Sequence, residues 1–230
     1  MRLFYGLASP YARMVRVALL ETGLDGQVRK QEVTLRDPGS VLLPFNPVGR
    51  IPTLELDDGT ILTESLMILC YIDTLHDGRP LLPRDGSDRR RTIAEIGTAV
   101  GMLDGIVTWS RELRRPENER SPGVIELETT RVNRTADMLE RAAAAGAYAC
   151  SISASKIALG CALGWINPRH PIWHWRDERP LSRHGSTKLR RGHRSSRRRR
   201  CRRDRWPMFQ HQASTESVSG KGRPTTGRPG

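Results

Sequence analysis

Apolar and polar positions divide the first third of the chain into short strands and helices. Residues 3–5 form a short apolar run that predicts a first strand. Within residues 11–22, apolar side chains follow the helical spacing i, i+3, i+4 starting at Val15, which predicts a first helix. Gly23 follows that helix, as a left-handed glycine commonly does at a helix C-terminus. Residues 28–34 alternate weakly and predict a second strand.

A hairpin and a further helix complete this first part. Residues 53–56 and 60–63 flank an Asp-Asp-Gly turn, and a helix is predicted for residues 65–75. Residues 37–49 are rich in turn-forming types and predict only a short, irregular helix. The order strand, helix, strand, helix, hairpin, helix is typical of a thioredoxin-like α/β domain, here residues 1–76, with two parallel strands and an antiparallel hairpin.

The second part of the chain has helical periodicity only. A Gly- and Pro-containing linker, residues 77–87, precedes an apolar helical stripe for which Asp88 is available as the N-cap. Further helices are predicted for residues 124–145 and 155–165. Residues 88–180 are therefore expected to form an all-helical C-terminal domain.

Net charge separates the last 50 residues from the rest. The chain carries a formal charge of +13, and residues 181–230 hold 15 basic and 2 acidic residues, so residues 1–180 are neutral. Apolar residues are few and scattered in this segment, and we expect a disordered basic tail because it cannot bury enough surface to offset chain entropy. Because residues 1–180 carry no net charge, nucleic-acid binding is not expected except through residues 181–230.

Composition excludes several other classes. No apolar run approaches the roughly 20 residues that a membrane-spanning helix needs, and no signal peptide is recognisable at the N-terminus, so a cytoplasmic protein without a membrane partner is expected. The four cysteines lie far apart without a Cys-x-x-Cys or Cys/His cluster. Neither a disulfide framework nor a metal site is predicted.

Residues 9–12, Ser-Pro-Tyr-Ala, stand where the first strand meets the first helix. The N-terminus of a helix favours a thiolate, because its free N–H groups carry partial positive charge. Ser9 and Ala12 replace the two cysteines of redox proteins with this fold, so dithiol exchange is excluded. The residues suit activation of a thiol on a bound ligand, although the tetrapeptide alone favours an ordinary N-cap role for Ser9.

Two later motifs add possible ligand contacts. An Ile51-Pro52 bond before a strand could be cis and leave the backbone of Ile51 free to pair with an extended ligand, although composition alone favours trans. Glu64 and Ser65 begin the next helix, where they could cap it or bind a ligand carboxylate.

Together these segments resemble the three N-terminal signatures of bacterial glutathione S-transferases. The segments are Ser-Pro-Tyr-Ala-Arg-x-Val-Arg-Val-Ala-Leu from residue 9, Asn-Pro-Val-Gly-Arg-Ile-Pro-Thr-Leu from residue 46, and Asp-Asp-Gly-Thr-Ile-Leu-Thr-Glu-Ser from residue 57. Residues 157–165 and 175–177 resemble the C-terminal domain of the same family, so the similarity extends over residues 1–180.

The resemblance implies a serine-type glutathione transferase. It assigns Ser9 to the glutathione sulfur and Ile51, before a cis Pro52, to the cysteinyl backbone. Glu64 and Ser65 would hold the γ-glutamyl end, and Arg50 would contact the ligand peripherally.

The resemblance also implies a reaction and an assembly. The glutathione thiolate would be conjugated to, or would reduce, a small hydrophobic electrophile, which is a detoxification reaction. The co-substrate site would be lined by Tyr11, Met102 and Trp109, unless these belong to the core. The family implies a homodimer, glutathione as the co-substrate and no metal.

Two departures from the family leave other functions open. Lys156 replaces the Asp that the family places three residues after the helix-capping Ser153, and residues 181–230 replace an aromatic-rich final helix with a basic segment typical of a shifted reading frame. A genuine basic tail that binds nucleic acid, or a solvated tail without a function, is the alternative to the frameshift. The main rival to the enzyme is a non-catalytic interaction protein that has kept the fold.

Overall fold

The computed structural model describes residues 1–35, 37–146, 152–170, 173 and 179, and these form a four-stranded sheet with helices. The strands are β1 (Arg2–Tyr5), β2 (Arg29–Glu32), β3 (Thr53–Glu55) and β4 (Ile61–Thr63), in the order β2-β1-β3-β4. β1 is parallel to β2 and antiparallel to β3, which pairs antiparallel with β4. The predicted thioredoxin-like arrangement is confirmed.

Five helices accompany the sheet in the described ranges. They are α1 (Pro10–Glu21), α2 (Ser65–Ile72), α3 (Gly86–Leu113), α4 (Pro122–Ala144) and α5 (Ala154–Arg169), with 3-10 turns at Asp25–Gln27 and Glu117–Glu119. Gly23 follows α1 with φ +76°, and Gly146 follows α4 with φ +78°. Both glycines therefore end helices in the left-handed conformation, as predicted for Gly23.

Three local predictions are wrong. α3 begins at Gly86 after Asp85, so Asp88 lies inside its first turn and does not cap it. Residues 37–49 form successive turns and contain no helix, since Pro44 removes a backbone donor in their centre. α2 ends at Ile72, three residues before the predicted end, because the following residues form tighter turns in which the N–H groups of Thr74 and Leu75 donate to the carbonyls three residues back, at 2.9 and 3.1 Å.

The core is divided by the sheet. Leu3 and Leu54 belong to the large cluster that α1, α2 and the long helices share, whereas Phe4 packs with Val33 and Leu42 in a small second cluster. This follows from the alternation of side chains along β1. α1 packs against α2 and α5, and α3 packs against α4 and α5, so the turn that precedes α1 lies beside the helical part of the protein.

Ser153 caps α5 as its sequence position indicates. Its Oγ accepts the backbone N–H of Lys156 at 3.4 Å, so the forward half of the capping box is present although the family's acidic residue is not. The predicted basic tail, residues 181–230, lies outside the described residues. The predicted limits of the linker and of the helical domain remain predictions.

Candidate functional site

Three strand ends meet at one edge of the sheet. Phe4 of β1 is paired with Thr53 of β3, and Thr53 is paired with Thr63 of β4. Because β1 and β4 run antiparallel to β3, the segments that follow β1 and β4 leave the sheet at the edge where the chain enters β3. The three predicted motifs occupy these three segments.

Ser9 is the N-cap of α1. Its backbone is extended (φ −81°, ψ 121°), and its Oγ accepts the N–H of Ala12 at 3.1 Å. The predicted capping role is therefore real, and it uses only an acceptor lone pair of the hydroxyl. Among the described residues, no acceptor takes the Ser9 hydroxyl proton. The half-buried hydroxyl can therefore cap the helix and donate to a ligand at the same time.

A buried asparagine shapes the turn before β3. The Asn46 side chain is 2% exposed and donates from Nδ2 to the carbonyl of Arg50 at 3.1 Å and to Thr53 Oγ1 at 2.9 Å. Thr53 Oγ1 in turn donates to the same carbonyl at 2.8 Å. Sequence reasoning placed Asn46 in the motif without giving it a role. These three bonds among Asn46, Arg50 and Thr53 fix the backbone on either side of Ile51.

Ile51 lies against the turn that follows β1. The Ile51-Pro52 peptide bond is cis, and neither backbone group of Ile51 forms a hydrogen bond with another described residue. A Cβ built on Gly6 would lie 2.8 Å from Ile51 Cδ1, so the absence of a side chain at Gly6 allows this close approach. The side chain of the neighbouring Arg50 is exposed to solvent.

Glu64 adopts a backbone conformation that side-chain-bearing residues rarely take. Its φ is +64°, the sole positive φ of a non-glycine residue within the described ranges, and such strain concentrates at functional sites. Glu64 precedes α2 and makes no side-chain capping bond, while Ser65 is already the first helical residue and is 5% exposed. The prediction that Ser65 caps α2 is therefore wrong. The first N–H groups of α2 remain available for an anionic ligand.

Tyr11 faces α3 from the first turn of α1. Its hydroxyl donates to the carboxylate of Asp104, and the ring is half-buried. Burial first, and then this hydrogen bond, raise the pKa of Tyr11 above its ordinary value. The phenol therefore stays protonated at neutral pH.

Met102 and Trp109 lie in the interior. Met102 is 1% exposed, and Trp109 is 6% exposed with its ring centroid 4.0 Å from that of His170 and 5.6 Å from that of Trp173. Both residues therefore have the core role that the sequence left open. Of the three residues predicted to line a co-substrate site, Tyr11 alone is partly exposed.

Trp165 of α5 reaches the turn that holds Ser9. Its Nε1–H donates to the carbonyl of Ala8 at 2.8 Å, and the guanidinium carbon of Arg169 lies 4.2 Å from its ring centroid. No sequence signal joins two residues 157 positions apart, and this contact was not predicted. It makes the helical part of the chain a neighbour of the candidate site.

The described thiols are poorly suited to ionise. Burial raises the pKa of Cys161 to about 12 and also raises the pKa of the half-buried Cys70. Within the described ranges, no three His, Cys, Asp or Glu side chains are grouped to hold a metal ion. No helix formed by the described residues is long and apolar enough to cross a membrane.

Comparison with known proteins agrees with this geometry. The family model "Glutathione S-transferase, N-terminal domain" matches residues 3–80. A glutathione transferase family member from Pseudomonas fluorescens, solved with bound glutathione, is 35% identical in sequence with a TM-score of 0.76, and the match covers 82% of this chain and 93% of that one. This chain belongs to the glutathione S-transferase family.

Other members of the family extend the similarity. A glutathione S-transferase from Methylobacillus flagellatus, solved with glutathione bound, is 32% identical over 83% of this chain and 95% of its own, with a TM-score of 0.74. The uncharacterised GST-like protein YibF of Escherichia coli is 28% identical over 181 residues, which cover 78% of this chain and 89% of YibF. The resemblance stated from the motifs is confirmed at the level of the family.

Proposed function

We propose that this protein is a glutathione transferase that activates the thiol of glutathione for attack on an electrophilic co-substrate. The observation that carries the proposal is the meeting of Ser9, Ile51 and Glu64 at one edge of the sheet, through the pairing of β1, β3 and β4. The described thiols have raised pKa values, so the reacting sulfur is assigned to the ligand.

Ser9 is assigned to the sulfur. A free thiol has a pKa of about 8.5. A hydrogen-bond donor and a helix N-terminus each favour the thiolate, so a thiol placed beside both has a lower pKa. The Ser9 hydroxyl supplies that donor, and α1 begins at the next residue. The thiol proton leaves to solvent, and the thiolate is held at the helix end.

The rest of the tripeptide is assigned to the two other segments. The free N–H and C=O of Ile51 pair with the cysteinyl backbone of glutathione as an added strand would, beside Pro52. The carboxylate of Glu64 attracts the α-amino group of the γ-glutamyl end, and Ser65 with the first N–H groups of α2 receives its carboxylate. Arg50, which is exposed, contacts the ligand at its periphery.

The co-substrate is assigned to the space beyond the sulfur, next to Tyr11. The thiolate attacks an electrophilic carbon, a carbon–sulfur bond forms, and the leaving group departs with its electron pair. A glutathione transferase family member from Pseudomonas fluorescens has been solved with S-(propanoic acid)-glutathione, in which a substituent extends from the sulfur. That ligand supports a role for this chain in conjugation.

Further proposals concern the oligomeric state, the cellular location and the physiological role. We assign the chain to a homodimer in the cytoplasm that detoxifies electrophiles. Met67 on α2 and Ile93 on α3 are 58% and 50% exposed, and apolar side chains of this size are available to a subunit interface. Sedimentation of the native chain and of Met67→Asp tests the assembly, since the charged variant is expected to shift toward monomer.

Two matched serine variants test the mechanism. Ser9 and Ser121 are both N-caps followed by proline, and each accepts a backbone N–H through its Oγ. Replacing either serine by alanine is expected to lower stability by about 1 kcal/mol through loss of the cap. Only Ser9→Ala is expected to slow conjugation, by about 100-fold, since the lost interaction stabilises charge at the reacting atom. Glutathione affinity should be largely retained. Equal conjugation rates in the two variants would remove Ser9 from the mechanism.

A further inference from the structure

Three arginines stand where α3 and α5 end, near Tyr11 and Trp165. Arg111 lies two helical turns after Asp104, the residue that holds the Tyr11 hydroxyl, and Arg114 is the C-cap of α3. Arg169 is the last residue of α5 and stacks on Trp165, which binds the carbonyl of Ala8. The group therefore borders the space assigned above to the co-substrate.

The charges of these arginines are not paired with carboxylates of the described residues. None of the three forms an ion pair with a carboxylate in the part of the chain that the structure describes, and Arg114 donates only to the carbonyl of Ser110, at 3.1 Å. Two carboxylates of α3 already accept hydrogen bonds from other groups. Asp104 accepts the Tyr11 hydroxyl, and Glu112 accepts the N–H of Ser121 at 2.6 Å.

Electrostatics indicate that the group is short of negative charge. Burial is the main cause that lowers the pKa of Arg169, and repulsion from Arg114 lowers it further. The same two arginines help to keep the buried His170 neutral, after the larger effect of burial, so this histidine adds no further positive charge to the group. Tyr11 also senses the positive charge of Arg111, which opposes the increase in its pKa. An anion placed among the guanidinium groups would relieve this repulsion.

We propose that Arg111, Arg114 and Arg169 bind a carboxylate carried by the electrophilic co-substrate, whose apolar body lies between this group and the glutathione sulfur. Guanidinium groups suit this ligand, because their planar donors bind carboxylates through two hydrogen bonds. The inference rests on the proposed function and names its substrate class as apolar electrophiles with a carboxylate remote from the reacting carbon.

The reaction of such a substrate is an ordinary displacement. With para-(chloromethyl)benzoate, the glutathione sulfur attacks the benzylic carbon, the carbon–sulfur bond forms, and the carbon–chlorine bond breaks. Chloride leaves with the electron pair. The carboxylate takes no part in the chemistry, so its methyl ester provides a substrate with the same reacting carbon and no charge.

The first test compares these two substrates. In the native protein, kcat/KM is expected to be larger for the acid than for the ester, and added salt should reduce the difference because the charges are near solvent. Arg111→Gln and Arg169→Gln are each expected to lower the acid-to-ester ratio about tenfold, the effect of one hydrogen bond to a charged group. Arg91→Gln is the matched control on α3, since Arg91 is 70% exposed near the other end of that helix, and its ratio should equal the native one.

A binding measurement separates this inference from the function on which it rests. Calorimetry is carried out with glutathione and with two conjugates, S-(para-carboxybenzyl)glutathione and its methyl ester. Tighter binding of the acid conjugate, lost in Arg169→Gln while the melting temperature is kept, is the expected result. Equal affinity of the acid and ester conjugates overturns the arginine site and leaves the transferase standing. Failure of glutathione and of both conjugates to bind overturns both.

Discussion

The indole N–H of Trp165 donates to the carbonyl oxygen of Ala8 at 2.8 Å, which joins the end of α5 to the residue before Ser9. The indole is 7% exposed, so it has little access to a water molecule as an alternative partner. The position of the Ser9 hydroxyl therefore depends on a helix far away in sequence. A protein that kept only the thioredoxin-like part would lose this support.

Trp165→Phe should weaken the site while keeping an aromatic ring beneath Arg169. Loss of the donor is expected to cost about 1 kcal/mol of stability and to reduce kcat/KM several-fold, because the turn before Ser9 is released. The matched control is Trp173→Phe, which removes a bond of 2.9 Å to Asn133 Oδ1. Thermal melting and conjugation rates measure both effects. Similar losses of kcat/KM in the two variants would contradict the special role of Trp165.

Gly105 and Gly101 should respond in opposite ways to alanine. A Cβ at Gly105 would lie 2.7 Å from Glu128 Oε2 and 3.4 Å from Val132 Cγ2, where α3 and α4 pack. Gly105→Ala is expected to destabilise the protein by about 1–3 kcal/mol through overpacking. A Cβ at Gly101 meets nothing within 4 Å, so Gly101→Ala should add about 0.5–1 kcal/mol through helix propensity. Urea unfolding of both variants measures the change in the free energy of unfolding. A gain in stability in Gly105→Ala would contradict the close packing of α3 against α4 at this residue.

His170 should make stability fall in mild acid. The residue is 2% exposed, and burial is the main cause that holds the pKa of His170 below its ordinary value of 6.5. The unfolded chain therefore takes up the proton first, so the free energy of unfolding decreases as pH falls below about 6.5. His170→Phe keeps the ring against Trp109 and removes this proton uptake. If the free energy of unfolding of His170→Phe depends on pH between pH 7 and pH 5 as strongly as that of the native protein, His170 is not the group responsible.

The pattern of residues predicted the parts of the fold that depend on local order. The strands, the hairpin and the end of α1 before Gly23 follow from periodicity and turn chemistry. The motifs around Ser9, Ile51 and Glu64 were identified from residue type and spacing. Their convergence follows from strand register, which a thioredoxin-like order implies. Local signals failed at the start of α3, where Asp88 was predicted to be the N-cap but lies inside the first turn, and Asp85 holds the N-cap position.

Long-range contacts were beyond the sequence. Nothing local in residues 157–165 indicates that Trp165 donates to Ala8, and nothing near Tyr11 indicates Asp104 as its partner. The core roles of Met102 and Trp109 were likewise left open, because a helical stripe does not tell which of its apolar residues borders a cleft. These assignments require the packing of α1 against α5 and of α3 against both later helices.

The most direct test of the account is thermal melting of the full chain with and without millimolar glutathione, with cysteinylglycine as the control ligand. Glutathione at about 100 times its dissociation constant should add roughly 2.7 kcal/mol to stability, which raises the midpoint by several degrees. Cysteinylglycine lacks the γ-glutamyl group assigned to Glu64 and Ser65, so it should give a much smaller shift. A cooperative transition that glutathione leaves in place would contradict the central claim.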